Sequence, residues 1–338
     1  MNYNLNQFRK LFYFALFGFF AVALTSCGDD DNDIDFDDDG ERLFVSSNNS
    51  STLTSIDVSD IEEDNNPVST ESYSVSAMDA DGVYYADDGD VLYQVNRSSS
   101  VVNVYDDISD IDANDNLTPS GTSTSNFSNG REITVSNGIA IVADDADPNQ
   151  LVFYTVDESN ISFQKTVTTD INLWGIQAIG NDLWAISDNT SDVVVYRNIF
   201  SAANGSTVTP TRTVTIEGIT RTHGLVYDID NDVAVFTDVA DGGVDDDGGF
   251  ALITGFSSKF NNSTTISMSD QIRVYGSNTL MGNPVDVEYD HSRGFIHIAE
   301  RANGGGRVLI FEVPAASGNL SPVVNLSVAG ASAVFLQR

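Results

Sequence analysis

One stretch restricts this chain more than any other: Val83-Tyr84-Tyr85-Ala86-Asp87-Asp88-Gly89-Asp90-Val91-Leu92-Tyr93-Gln94-Val95. It reads as apolar strand, acidic turn with a glycine, apolar strand, and versions of it recur to the end. The pairs begin with Leu43-Phe44-Val45 and Leu53 to Val58, then Val83 to Ala86 with Val91 to Val95, then Ile139 to Ala143 with Leu151 to Val156. They continue as Leu183 to Ser187 with Val193 to Tyr196, Val233 to Thr237 with Phe250 to Phe256, and Phe295 to Ala299 with Val308 to Val313. Corresponding points lie roughly 40 to 60 residues apart, the interval of a four-stranded propeller blade. No stretch of the repeat region shows a convincing helical period.

Each pair has neighbours that complete a blade. Ile133 to Val135, Leu173 to Ala178, Gly224 to Tyr227 and Val285 to Tyr289 precede pairs; Val101 to Tyr105, Ile161 to Val167, Thr211 to Ile216, Gln271 to Tyr275 and Val323 to Val328 follow them. The first unit lacks an innermost strand, and the chain ends in a spare one, Ala331 to Leu336. Lending that strand to the first blade closes the ring and removes its open edges. The expectation is an all-β, six-bladed β-propeller of four-stranded antiparallel blades over residues 42–338. A seventh blade would need a degenerate repeat.

Residues 1–26 read as an export signal. Arg9-Lys10 is followed by the apolar run Leu11 to Leu24, too short to span a bilayer comfortably. The run ends in Leu24-Thr25-Ser26-Cys27, which resembles the bacterial lipoprotein box. That resemblance implies cleavage before Cys27, acylation of its thiol, and a membrane attached through the lipid anchor. Residues 27–41 then form an acidic tether, a block of like charges that cannot collapse on itself. The acidic run after the cysteine looks like the signal that places some outer-membrane lipoproteins on the cell surface.

Fifty acids against 15 bases give a formal charge of −35. Such a surface repels phosphate backbones, so nucleic acid is not a partner. It favours cations, or solubility in a salty medium that screens self-repulsion. With Cys27 the single cysteine, no intramolecular disulfide or thiolate cluster forms.

The repeats resemble NHL-type and related six-bladed propellers. The likeness rests on Tyr85 to Tyr93 and on Ile298-Ala299-Glu300-Arg301-Ala302-Asn303-Gly304-Gly305-Gly306-Arg307-Val308-Leu309-Ile310-Phe311, where a strand ends in an acid and a Gly/Asn turn leads into the next strand. The resemblance implies a fold and leaves function open, because such propellers bind proteins, sugars and RNA or act as enzymes.

Five units place an acid after what reads as the second strand: Asp87, Asp144, Asp188, Asp238 and Glu300. Repetition points to turn chemistry, an acid holding backbone amides, rather than to a ring of cation ligands. A site is sought instead where innermost strands start and second strands end, on one face of the wheel. Arg131, Glu132, Trp174, His223, Asn283 and Asp286 fall there, polar groups with one aromatic wall at a channel mouth. Against this, Trp174 reads equally as core and His223 as a turn residue. The segment Asp106 to Gly130, rich in Ser, Thr, Asn and Asp, reads as a linker on that face that could lie over the channel or be disordered. The loop Asp241 to Gly249 is the candidate for Ca2+, through Asp241, Asp245 and Asp247, although it lacks EF-hand spacing.

Nucleophile elbows, His-Glu-x-x-His, phosphate loops and CxxC pairs are absent from the sequence. The leading expectation is therefore a non-catalytic surface lipoprotein whose propeller binds a protein or glycan ligand. The competing one is a divalent-metal-dependent lactonase or hydrolase. It would be of the six-bladed gluconolactonase type, whose chemistry needs a channel-bound divalent ion held by Glu, Asn and Asp. Glu132, Asn283 and Asp286 could supply these, although that family's local motifs are not recognisable. A structural subunit of an envelope complex is a third reading.

Overall fold

A computed structural model describes residues 41–61, 68–111 and 115–338. The export signal, Cys27 and all of the tether but Glu41 lie outside the described residues. The described chain forms six sheets, one per blade. Strands β1 (Arg42–Ser47), β2 (Thr52–Asp57) and β3 (Thr70–Ser74) belong to the first blade; β4 (Ala80–Ala86), β5 (Val91–Asn96), β6 (Val101–Asp106) and β7 (Gly121–Thr122) make the second. The third blade is β8 (Gly130–Ser136), β9 (Ile139–Asp144), β10 (Gln150–Asp157) and β11 (Asn160–Thr169). The fourth has β12 (Leu173–Ile179), β13 (Asp182–Ser187) and β14 (Asp192–Tyr196); after β15 (Thr207–Val208) comes its outer strand β16 (Arg212–Ile216).

The fifth blade contains β17 (Leu225–Asp228), β18 (Val233–Asp238) and β19 (Gly249–Thr254). Helix α1 (Phe256–Asn262) and β20 (Thr265–Ile266) then precede its outer strand β21 (Ile272–Tyr275). The sixth is β22 (Pro284–Asp290), β23 (Phe295–Glu300), β24 (Arg307–Glu312) and β25 (Val324–Ser327), and β26 (Ala331–Leu336) ends the series. The short β15 and β20 add parallel fifth strands to the third and fourth sheets.

Ring closure is as expected. Strand β26 pairs antiparallel with β1, Leu43 opposite Leu336 and Val45 opposite Val334, and so becomes the innermost strand of the first blade.

The strands read as continuous apolar runs because both of their faces are buried. Phe44 packs with Leu53, Tyr85 and Leu92 toward the second blade, while Leu43 and Val45 pack with Phe295, Ala299 and Val334 toward the sixth. Six such clusters fill the spaces between the blades. Helix α1 wedges Phe256 and Phe260 against Trp184 on the outer side of the fourth and fifth blades.

Two expectations are corrected. Val83 to Ala86 belongs to an innermost strand, because Thr70–Ser74 completes the first blade and the second starts at Ala80. Asp87 therefore lies on the face opposite the other four acids, and Asn96 occupies their position in the second blade. A hairpin between two buried strands has the same pattern whether it joins strands one and two or two and three.

The segment after Asp106 does not lie over the channel. Its residues 115–117 hydrogen-bond to Ser74 on the outer edge of the first blade, and Ile108 and Leu117 are buried between the first two blades. Gly121–Thr122 forms the outer strand of the second blade, and Phe127 is buried against the third.

Candidate functional site at the channel mouth

The site is built on an irregularity repeated around the wheel. In the innermost strands two consecutive residues stand against one residue of the next strand, as shown by the register breaks between Ala80 and Val83, Gly130 and Ile133, and Leu173 and Ile176. Such bulges re-aim side chains. The first residues of the pairs, in blade order, are Ser332, Asp81, Arg131, Trp174, His223 and Val285. The second residues are Ala333, Gly82, Glu132, Gly175, Gly224 and Asp286.

The second position is small in four blades because neighbouring innermost strands nearly touch. A Cβ at Gly82 would lie 2.6 Å from Ile133 N, and one at Gly224 would lie 2.7 Å from Asp286 Cα. The exceptions, Glu132 and Asp286, stand in the third and sixth blades, half a turn apart. Both line a channel cavity of about 250 Å³, shared with Glu288, Gln177 and Tyr84. Burial pushes the Glu132 carboxyl well above the usual range, and the charge of Asp286 adds to the shift. Burial likewise raises Asp286, with the Glu288 charge adding, although its Oδ2 accepts Val334 N at 2.9 Å. Glu288 is pushed up to about 7 by burial, partly offset by Arg338. Burial thus favours the neutral form of each carboxyl, and Arg338, which also lines the cavity, counters this at Glu288.

First-position side chains lean sideways into the next blade. Ser332 donates to Ala80 O at 2.8 Å. Asp81 meets Arg131 at 3.5 Å, the Arg131 guanidinium lies 4.1 Å from the Trp174 ring centroid, and Trp174 stacks on His223 with centroids 3.6 Å apart. Three of the residues picked from sequence, Arg131, Trp174 and His223, are thus one stack. Trp174 and His223 are both buried, so the indole braces the mouth from behind and offers no open wall.

The acids that end second strands explain how this stack is held. Asp144 accepts Ser128 N and Asn129 N, Asp238 accepts Thr220 N and Arg221 N, and Glu300 accepts Gly282 N and Asn283 N. Each clamps the entry to the innermost strand of its own blade, and Asp238 and Glu300 also accept an amide of the turn that follows, Ala240 N and Ala302 N. Asp188, one residue past the end of its strand, accepts Asn189 N of its turn but clamps no strand entry. Asn149 Oδ1 takes the Leu173 amide in its blade, and Asp188 reaches into the next one. There it forks onto Arg221 (Nε 2.8 Å, Nη2 3.0 Å) and meets His223 Nε2 at 3.0 Å. Burial works to raise the Asp188 carboxyl, but the bonds from His223 and Arg221 outweigh it and hold it below the usual range. Burial pushes His223 down to about 4 against the pull of Asp188, so its imidazole is neutral at pH 7.

Beside the stack, a second cavity of about 580 Å³ opens on the same face, lined by Asn48, Asn49, Asp79, Arg97, Asn283 and Arg301, with Gly242 and Ala302. Arg97 binds Asp79 (3.2 Å), Asp81 (3.4 Å) and Asn129 (2.8 Å), which leaves its buried Nε without a partner. Asn283 Oδ1 is also buried without a partner, and the Arg301 guanidinium makes no ion pair among the described residues. Buried polar atoms left unpaired cost about 1–3 kcal/mol each.

The sequence pointed to Asn283, but not to Arg97, Arg301, Asp79 or Asp188 as mouth residues. Shared offset from the bulge pairs could have marked Asp79 and Arg221, each standing where Asn283 stands. Asp241, Asp245 and Asp247 sit in an exposed loop: Asp241 Oδ1 accepts Gly243 N, Asp247 Oδ2 accepts Asp241 N, and Asn303 Nδ2 donates to the Asp245 carbonyl. Among the described residues no three His, Cys, Asp or Glu side chains are arranged to hold a metal ion. Glu132 and Asp286 line the channel cavity and Asn283 the mouth cavity, so the lactonase-type ligand set does not converge on one space.

No family model matches the chain, and no curated protein matches it in sequence. Solved structures match its fold. A chain of a nidogen/laminin complex superposes with a TM-score of 0.62 at 8% identity, covering 88% of this chain and 98% of that one. A Bacteroides fragilis protein provisionally assigned as a 6-phosphogluconolactonase gives a TM-score of 0.62 at 11% identity, covering 89% and 99%. A Bacteroides uniformis protein with the same provisional assignment gives 0.60 at 9% identity, covering 88% and 100%. At these identities the likeness establishes the β-propeller and nothing of its chemistry.

Proposed function

We propose that the chain is a lipid-anchored envelope protein, displayed on the cell surface, whose propeller is a non-catalytic binding module with a glycan ligand at the channel mouth. The observation that carries the binding role is the mouth cavity, where the amides of Asn48, Asn49 and Asn283 stand beside the guanidiniums of Arg97 and Arg301. A concavity of this size with a few converging polar groups suits a hydroxylated small ligand better than the flat patch of a protein interface. The anchor and the address rest on Leu24-Thr25-Ser26-Cys27 and the acidic run after it. Catalysis gains no comparable support, because His223, the histidine nearest the mouth, is buried behind the stack and committed to Asp188.

The test is a glycan array probed with the full chain in detergent. Asn283→Ala at the mouth should abolish the binding that Asp88→Ala on the far face leaves intact. Binding that survives Asn283→Ala would place the ligand elsewhere and end this reading.

A further inference from the structure

We propose that the glycan at the mouth is acidic: the cavity recognises a sugar bearing a carboxylate beside its hydroxyls, of the uronic-acid type. The inference rests on the binding role proposed above and deepens it.

Three kinds of group line the cavity, and each selects. Asn48, Asn49 and Asn283 present amides, which both donate to and accept from hydroxyls. Arg97 and Arg301 present guanidiniums. Arg97 is partly neutralised by Asp79 and Asp81, whereas Arg301 stands exposed at the rim and makes no ion pair among the described residues, its field reaching Asp81 from farther off. On a chain with a net charge of −35, no carboxylate among the described residues pairs with this arginine. Its planar fork matches a carboxylate.

Asp79, in the same lining, decides between anions. Its carboxylate accepts hydroxyl donors but repels a second negative charge, so a dianionic phosphate is penalised more than a monocarboxylate. The field of the whole acidic chain works in the same direction, disfavouring ligands in proportion to their charge. A hydroxylated monocarboxylate satisfies Arg301 and Asp79 together; a neutral sugar leaves Arg301 unused.

Titration calorimetry on the full chain in detergent tests this with the monocarboxylate methyl galacturonoside, its methyl ester and inorganic phosphate. Expected is about tenfold tighter binding of the acid than of the ester, the scale of one charge-assisted contact. Arg301→Gln should bring the acid down to the ester and leave the ester unchanged. Since the exposed Arg301 side chain makes no hydrogen bond or ion pair among the described residues, the variant should melt within a few degrees of the parent. Equal affinities for acid and ester, an acid preference that survives Arg301→Gln, displacement by equimolar phosphate, or no binding of either sugar would each overturn the inference. Failure here is distinguishable from failure of the binding role, which the array and Asn283→Ala decide for any glycan.

Discussion

Glu132 and Asp286 occupy the same step of the third and sixth innermost strands and bring their carboxyls into one channel cavity. Their raised protonation has a thermodynamic consequence. A carboxyl whose folded value exceeds its unfolded one stabilises fully below the unfolded value and loses that contribution as pH rises through the folded one.

Glu132→Gln should therefore match the parent near pH 4 and exceed it at pH 8, by on the order of 1 kcal/mol or more, since a tenfold change in proton affinity on folding is worth about 1.4 kcal/mol. Urea unfolding at the two pH values measures this. A variant less stable than the parent at pH 8 would show that the charged form is favoured in the channel.

His297 gives the opposite slope. It is buried between the first and sixth blades with neither ring nitrogen partnered, and burial pushes it down to about 3. Its contribution is full above the unfolded value and is lost as pH falls from about 6.5 toward 3. His297→Leu should gain about 2 kcal/mol over the parent at pH 5 relative to the difference at pH 8. Parallel stability curves for the two proteins would remove the imidazole from the acid response.

Asp188→Asn removes the charge that Arg221 and His223 share. Breaking a largely buried pair costs about 2–3 kcal/mol when one partner is partly solvated. Because Trp174 stacks on His223, its emission should shift, while Trp184, packed on α1, reports no change. Unaltered fluorescence would mean that Asp188 does not hold the stack.

Deleting 331–338 takes away the innermost strand of the first blade and exposes the edge of β1. The shortened chain should aggregate rather than unfold reversibly, read by light scattering during refolding. A soluble monomer with native ellipticity would show that the ring does not need this closure.

Cys27→Ala should leave the chain unlabelled by palmitate and recovered in the aqueous phase of a detergent partition. Retention in the detergent phase would point to attachment by another segment.

The wheel was legible because its evidence is repeated: apolar pairs at a steady interval, and a spare strand at the end to match a missing one. The mouth was only partly so. Arg131, Glu132, Trp174, His223, Asn283 and Asp286 could be placed on one face, but the division between them could not. Bulges send first-position side chains into the neighbouring blade and second-position ones down the bore, and a bulge leaves no mark in an apolar run. Asp188 reads in sequence like Asp144, Asp238 and Glu300, but it stands one residue later, past Ser187 at the end of its strand, as its amide bond to Asn172 O shows. That single-residue offset turns its side chain toward the next blade.

The pairing of Leu43 with Leu336 joins residues almost 300 positions apart. Such a distant contact is entropically slow to form. Until β26 arrives, the first blade is missing the strand at its hub, and the buried side of Leu43 and Val45 faces water. Synthesis of the polypeptide and completion of the wheel are therefore separate events. In the interval between them the chain is a natural client for chaperones.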